Sequence, residues 1–296
     1  MSRYPPPGRM LDVGGRRLHV YEAGQGSPIV LLEAGIAATS LSWRPVQTEI
    51  AKFARVASYD RAGLGWSDAN SQPLTLSGLV DDLHCLLEVA QLPPPYILVG
   101  HSFGGLIVRA YANRYPAETA GLVLVDALRP EEWHPLSSEQ RGTLARGVRL
   151  SRRGAMLARM GIVGWCLRSL LAGSRWLPKA VGGAASGRGL TVMKRIAGEV
   201  GKMPPEVWPM VAEHWSQPKS FLGMAAHFES LAESARDMCA AAPLQGVPVI
   251  VLTPAGKPAL DSLGANVRHV VAERSGHWIH LDQPELVVEA VRSICG

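Results

Sequence analysis

The stretch that most constrains the fold is YILVGHSFGGLIVRAY, residues 96–111, in which an apolar strand-like run passes directly into a helical segment. The turn between them carries Ser102, with Gly100 and Gly104 two residues away on either side. A strand can enter a helix this abruptly when these neighbours are small, because a Cβ atom there would prevent the turn from closing. The pattern therefore predicts a strained strand-to-helix turn that presents the Ser102 hydroxyl beside the free N–H groups of a helix start.

Apolar strand-like runs alternate with helical segments in the first and last parts of the chain. A leading pair, residues 9–24, has Gly14 and Gly15 at its centre and predicts a hairpin at an antiparallel edge. Six further runs follow it, at 27–35, 53–60, 95–102, 120–127, 247–256 and 266–277. Such alternation favours a parallel sheet covered on both faces. We therefore predict an α/β protein with a mostly parallel sheet of about eight strands flanked by helices.

The strand pattern stops between Arg129 and about Pro243, where glycine, arginine, tryptophan and methionine accumulate in helix-like stretches. Strand-like runs resume after this gap, which therefore interrupts a single sheet. We predict a core formed by residues 1–128 and 244–296, and a helical cap, residues 129–243, inserted between its two parts.

The cap carries a strong positive charge. Between Arg141 and Lys202 there are thirteen Lys and Arg residues against one acid, Glu199, which gives this span +12, whereas the whole chain carries +5. Apolar residues such as Trp165 are interleaved with the cations. This composition is typical of contact with a membrane surface or an anionic ligand, and also of helices that pack their apolar side over a core. The sequence leaves both interpretations open.

Several function classes are not indicated. The overall charge is weak and dispersed, and no nucleic-acid-binding motif accompanies it, so we expect no nucleic acid partner. The four cysteines are scattered without metal-ligand spacing, and we expect no disulfide framework, metal or cofactor. The N-terminus lacks the apolar region of a signal peptide, and no run of about 18 apolar residues could span a bilayer. These features predict a cytoplasmic protein of undetermined oligomeric state.

Three motifs resemble those of the α/β-hydrolase fold superfamily, and in particular its serine esterases. They are VGHSFGG at 99–105, YDRAGLGWSD at 59–68 and AERSGHWIHLDQPELVVEAV at 272–291. The resemblance covers nearly the whole core and leaves the cap uncovered. It implies that Ser102 is the nucleophile and that His277, after the last strand, is the general base. His101 and His280 are expected to pack or hydrogen-bond. The cap residues His134, His214 and His227 have two interpretations, contact with substrate or a role at the surface, and we favour the surface role.

The acid departs from the pattern most common in the superfamily, which places an Asp in the loop after the seventh strand. Here that loop reads TPAGKPALDSLGANV, and nothing acidic occurs in it before Asp261. Asp126 instead follows the sixth strand, at a position that resembles the alternative acid site of part of the superfamily. Active-site residues collect at such strand ends. We favour Asp126 and keep Asp261 as the alternative, with Glu131 and Glu132 as remote options.

The resemblance also implies an oxyanion hole formed by backbone N–H groups of Phe103 and Ile36. Glu33 or Ala34 stands where many relatives have a histidine, and we interpret Glu33 as a hydrogen-bonding anchor. A backbone donor is unaffected by that change.

Together these residues predict a serine hydrolase that cleaves carboxylic esters through an acyl-enzyme, with Asp126 orienting His277. A serine nucleophile argues against haloalkane dehalogenases and epoxide hydrolases of the same fold, which need Asp there. The Met- and Trp-rich cap suggests an apolar acyl or aryl pocket. The alternatives are an iminopeptidase, a carbon–carbon-bond hydrolase, an acyltransferase, a cofactor-free haloperoxidase or a slow-turnover ligand sensor.

Overall fold

A central sheet organises the molecule. A computed structural model of the chain describes residues 4–69, 72–171, 198, 200–258, 260, 263–264 and 266–296. The described residues form eight strands: β1 (Arg9–Asp12), β2 (Arg17–Ala23), β3 (Ile29–Glu33), β4 (Val56–Asp60), β5 (Tyr96–His101), β6 (Thr119–Val125), β7 (Val249–Pro254) and β8 (Val267–Ala272). Their order in the sheet is β1-β2-β4-β3-β5-β6-β7-β8.

The strand directions agree with the predicted architecture. β1 pairs antiparallel with β2, and β2 antiparallel with β4, while every pairing from β4 through β8 is parallel. The predicted hairpin is confirmed, because Asp12 pairs with Arg17 and both Gly14 and Gly15 adopt positive φ in the turn between them. All residues of β3, β4, β5 and β7 are buried, as expected for strands with helices on both faces.

The α-helices whose bounds the structure gives are α1 (Arg44–Ile50), α2 (Leu76–Val89), α3 (Gly104–Arg114), α4 (Ser138–Arg159), α5 (Ile162–Leu171), α6 (Trp208–Trp215), α7 (Pro218–Cys239), α8 (Ile279–Asp282) and α9 (Pro284–Cys295). Short 3₁₀ helices cover Ser40–Trp43, Pro116–Glu118, Pro130–Glu132 and Pro205–Val207. None of the helices in this part of the chain combines the length and apolar composition needed to cross a lipid bilayer.

Alternating strand residues build two separate cores. Leu31 and Leu98 face one side of the sheet, where apolar residues of α2 and α3 cover them. Val30 and Val99 face the other side and pack with residues of α1 and α9. This two-residue period is what allows each buried strand to contribute to both faces.

The helices between β6 and β7 lie over the carboxyl end of the sheet. Helix α4 begins at a capping box in which the Ser137 side chain and the Gln140 side chain bond each other's backbone N–H. It packs along α7, and α5 packs against α6. No strand occurs among the described residues of the predicted cap, 129–243, and the exact boundaries of core and cap stay predictions.

Candidate active site

Ser102 occupies the turn between β5 and α3 with a positive φ of 53°. Its N–H donates to the carbonyl oxygen of Val125 at 3.1 Å, and its own carbonyl accepts from the Leu128 N–H at 2.9 Å. A Cβ on Gly100 would lie 2.7 Å from the Gly104 oxygen, and one on Gly104 would lie 2.5 Å from the Glu33 oxygen. The strained turn that requires glycine on both sides is therefore confirmed.

Asp126 and His277 come together although 151 positions separate them in the chain. The His277 Nδ1 donates to the Asp126 Oδ2 at 2.6 Å, and this assignment leaves Nε2 with a lone pair that can accept a proton. Asp126 follows β6 with a φ of 37°, and its N–H donates to Leu252 on β7 at 2.8 Å. The carboxyl ends of β5 and β6, which are neighbours in the sheet, thus bring Ser102 and Asp126 to one edge.

The loop after β7 supplies a cation where relatives commonly have the acid. Lys257 Nζ donates to both Asp126 oxygens at 2.8 Å. Burial alone would raise the pKa of the Asp126 carboxyl, but the hydrogen bonds from His277 and Lys257 outweigh it and lower that pKa. Asp126 is therefore ionised at neutral pH. The alternative acid, Asp261, lies outside the described residues.

Two cavities meet at the serine. The first, of about 340 Å³, has mainly apolar walls to which both the core and the cap contribute. The second, of about 300 Å³, contains charged side chains. Both are lined by Ile36, Ser102, Phe228 and His277. The first also contacts Met203, Val211, Trp215, Met224 and Trp278, and the second contacts Asp126, Arg129, Glu132, Trp133 and Lys257. Ser102 and His277 thus face an apolar cavity on one side and a cavity with charged side chains on the other.

The residues predicted to form the oxyanion hole, Phe103 and Ile36, both lie near Ser102. Phe103 is the N-cap residue of α3, so its N–H belongs to the group without intrahelical partners. Ile36 follows β3 and lines both cavities. A Cβ on Gly35 would lie 3.3 Å from the Ser102 Cβ, so this loop passes directly over the nucleophile turn. The catalytic roles of Ser102, His277, Asp126, Phe103 and Ile36 remain predictions.

The histidines beside the predicted base pack as expected. His101 Nε2 donates to the carbonyl oxygen of His277 at 2.9 Å. The His280 ring lies 4.4 Å from the rings of both Trp43 and His101 and is fully buried. Burial lowers the pKa of His280 to about 3 and holds that of His101 well below its ordinary value.

The surface roles predicted for His214 and His227 are wrong. His214 on α6 is 3% exposed and His227 on α7 is 0% exposed, because these helices turn those positions inward against the core. His214 lines the first cavity. Burial lowers the pKa of His214 to about 4 and that of His227 to about 3, so both are neutral. His134, by contrast, is half-buried.

Sequence reasoning missed two polar contacts of the site. Lys257 is a lone lysine in a loop, and no local pattern indicates that it reaches Asp126. Glu33 is an anchor as predicted, because it accepts hydrogen bonds from Tyr59 and Arg61, but the contact of Arg61 with His227 was not foreseen.

Comparisons with known proteins agree with this architecture. The family model described as alpha/beta hydrolase fold matches residues 28–152. A 2-hydroxy-6-oxo-2,4-heptadienoate hydrolase of Pseudomonas putida is 32% identical over 132 residues, which are 41% of this chain and 45% of that protein. The chain spans less than half of the length of the curated relatives it matches.

Solved structures match over nearly the whole chain. Epoxide hydrolase CorEH superposes with a TM-score of 0.68 at 17% identity, covering 97% of this chain and 96% of that one. An esterase from Exiguobacterium antarcticum superposes with a TM-score of 0.66 at 18% identity, covering 97% and 98%. At such identities the likeness establishes the fold, and chemistry has to be argued from the site.

Proposed function

Because this chain belongs to the α/β-hydrolase fold superfamily, we propose that it is a serine hydrolase that cleaves carboxylic esters through an acyl-enzyme intermediate. The observation that carries the proposal is the 2.6 Å hydrogen bond between Asp126 and His277 beside the turn that presents Ser102. An aspartate nucleophile, as the dehalogenases and epoxide hydrolases of this fold require, is absent from that turn.

The proposed reaction uses each group in turn. His277 Nε2 takes the proton of the Ser102 hydroxyl as its oxygen attacks the ester carbonyl, while Asp126 holds Nδ1–H and stabilises the imidazolium. The N–H groups of Phe103 and Ile36 bind the oxyanion of the tetrahedral intermediate. His277 then returns the proton to the departing alcohol. Water, deprotonated by the same ring, attacks the acyl-enzyme; His277 then gives that proton to the Ser102 oxygen as the bond to the acyl group breaks, which releases the acid and free Ser102.

The cavities support an apolar acyl or aryl substrate. Side chains from α6 and α7, including Trp215, Met224 and Phe228, enclose the first cavity with adaptable apolar surface. The four free cysteine thiols fit a reducing compartment, which supports a cytoplasmic location.

Carbon–carbon bond hydrolysis is the second candidate, and the similarity to the P. putida hydrolase favours it. Aminoacyl amide hydrolysis, acyl transfer, cofactor-free haloperoxidation and slow-turnover sensing stand behind it. All of them use the same nucleophile and differ in the substrate that turns over.

The decisive experiment is covalent labelling followed by a substrate panel. A fluorophosphonate should form one adduct, on Ser102, and Ser102→Ala should lose both the adduct and activity while unfolding at the wild-type temperature. Ser77→Ala, an exposed serine on α2, is the matched control and should keep both. The wild-type protein should turn over aryl and alkyl esters for many cycles. Aminoacyl amides and a vinylogous diketone, which test for amide and carbon–carbon bond hydrolysis, should be turned over more slowly. An adduct on another residue, or a burst near one equivalent, would contradict the proposal.

We also propose that the cap contacts anionic membrane surfaces. In the described part of the basic stretch, α4 and α5 expose large apolar side chains beside arginines, a combination typical of interfacial helices. The apolar side chains are Leu150, Met156, Leu157, Met160, Ile162 and Trp165, and the exposed arginines include Arg149, Arg153 and Arg159. Residues 172–197 of the same stretch lie outside the described residues.

A further inference from the structure

A buried arginine binds the backbone that leads to the predicted oxyanion donor. Arg61 is 3% exposed and follows β4. Its Nη1 donates to the Ala34 carbonyl at 2.6 Å and to the Glu33 carboxylate, and its Nη2 donates to the Gly35 carbonyl at 2.5 Å. One guanidinium therefore holds three consecutive residues immediately before Ile36.

The hydrogen bond from Arg61 to the Gly35 carbonyl fixes the direction of the Ile36 N–H. In a trans peptide the C=O and the following N–H point in opposite directions. The Gly35 carbonyl points to Arg61, so the Ile36 N–H points away from it, on the side where Ile36 lines the cavities with Ser102. Rotation of this peptide would aim a carbonyl oxygen at the developing oxyanion, which would repel it.

The cap holds the arginine from the other side. Arg61 Nε donates to His227 Nε2 at 2.9 Å. The His227 Nδ1 donates to the carbonyl of Gly223, one turn earlier on α7, at 2.7 Å, which leaves Nε2 as the acceptor. A Cβ on Gly223 would lie 3.1 Å from the Gly63 oxygen, so α7 lies directly on the loop that carries Arg61.

From these contacts we propose that Arg61 is a positioning residue that orients the Ile36 N–H toward the oxyanion, and that His227 anchors Arg61 to the cap. The inference rests on the proposed function for its catalytic consequence. Lysine cannot replace Arg61, because the contacts occupy four N–H groups of a planar fork and a single ammonium cannot reach all of them.

The first test is Arg61→Lys, which keeps the charge opposite Glu33. Loss of one oxyanion donor lowers kcat by roughly 100-fold or more. We expect kcat for an aryl ester to fall by about 100-fold, and inhibition by a trifluoromethyl ketone, which binds as an oxyanion, to weaken by a similar factor. KM should change by less than about threefold, because the apolar cavity is untouched. Arg55→Lys, at an ion pair with Glu22 away from the site, is the control.

The cap anchor is tested by a pair of variants at one position. His227→Leu removes the acceptor and should lower kcat by about tenfold, whereas Gln at that position can accept from Arg61 Nε and should stay within about threefold of wild type. Equal losses in the two variants would show a packing role and would overturn the proposed anchor.

A crystal structure of Arg61→Lys separates this inference from the proposed function. A rotated Gly35–Ile36 peptide supports the positioning role even if the wild-type protein hydrolyses no ester, an outcome that would contradict the proposed function alone. An unmoved peptide, or a folded variant with unchanged trifluoromethyl ketone inhibition, would overturn the positioning role.

Discussion

Replacing Asp126 by Asn tests the proposed triad through a contact that sequence could not reveal. The carboxylate accepts from His277 on one oxygen and from Lys257 on both, at 2.6 Å and 2.8 Å respectively. Asparagine has nearly the same shape but carries one oxygen and one NH₂ group. The Lys257 ammonium can only donate, so it attracts the amide oxygen and leaves the NH₂ group facing His277.

This orientation has a calculable effect on catalysis. An NH₂ group opposite Nδ1 requires Nδ1 to accept, so the ring proton moves to Nε2 and the ring can no longer take the Ser102 proton. Losses for this wrong-tautomer arrangement are about 10⁴-fold in turnover, or about 5 kcal/mol of barrier. We therefore expect Asp126→Asn to lose about 10⁴-fold in kcat for an aryl ester at pH 8.

A second substitution checks the reasoning about orientation. In the double variant Asp126→Asn/Lys257→Met, the amide oxygen is free to face His277, and kcat should recover by about tenfold relative to the single variant. Asp261→Asn and the exposed control Asp237→Asn should stay near wild type. Thermal unfolding would establish that each variant folds. Activity of Asp126→Asn within tenfold of wild type, or a double variant no faster than the single one, would refute the argument.

Three further outcomes are expected. Gly104→Ala places a methyl group 2.5 Å from the Glu33 oxygen, so the free energy of unfolding should fall by roughly 1–3 kcal/mol in calorimetry and kcat should decrease. The control Gly142→Ala, which has open space around it, should not be destabilised. Equal Tm values for the two variants would contradict this. Three exposed cap cations are Arg149, Arg153 and Arg159. Replacing all three by Gln should weaken binding to anionic vesicles at low salt by about 100-fold, since each contributes about 1 kcal/mol. Failure of the wild-type protein to co-sediment with these vesicles would contradict the membrane proposal. Burial lowers the pKa values of four histidines, His101, His214, His227 and His280, so the unfolded chain binds protons at a higher pH than the folded one. The free energy of unfolding should therefore fall as pH drops below about 6.5, by roughly 2 kcal/mol at pH 5 for each of His214, His227 and His280. Tm should decrease from pH 7.5 to 5, less steeply in His280→Phe, and a flat profile would contradict this.

The sequence predicted what local chemistry determines. The sheet and the hairpin follow from apolar runs and a glycine pair, and the turn at Ser102 follows from two glycines whose absent Cβ atoms the structure shows to be necessary. The strand end at Asp126 follows from the apolar run at 120–127, and β6 does end at Val125. Each of these depends on neighbours within a few residues.

Contacts between distant segments could not be predicted in this way. Lys257 reaches Asp126 across 131 positions, and Arg61 reaches His227 across 166. We predicted surface positions for His214 and His227. Whether a histidine on a helix is buried depends on the angle at which that helix packs against the core. The sequence pattern of α6 and α7 does not specify that angle.

The two cavities that meet at Ser102 have a consequence for the order of events in the proposed reaction. An ester bound across them has one half held by apolar cap residues and the other beside Lys257 and Glu132. With the acyl group in the apolar cavity, as proposed, the departing alcohol leaves a volume lined by Ser102 and His277. Water entering there can be deprotonated without displacing the acyl group. A small alcohol admitted to the same volume would intercept the intermediate, and the product would then be a new ester in place of the acid.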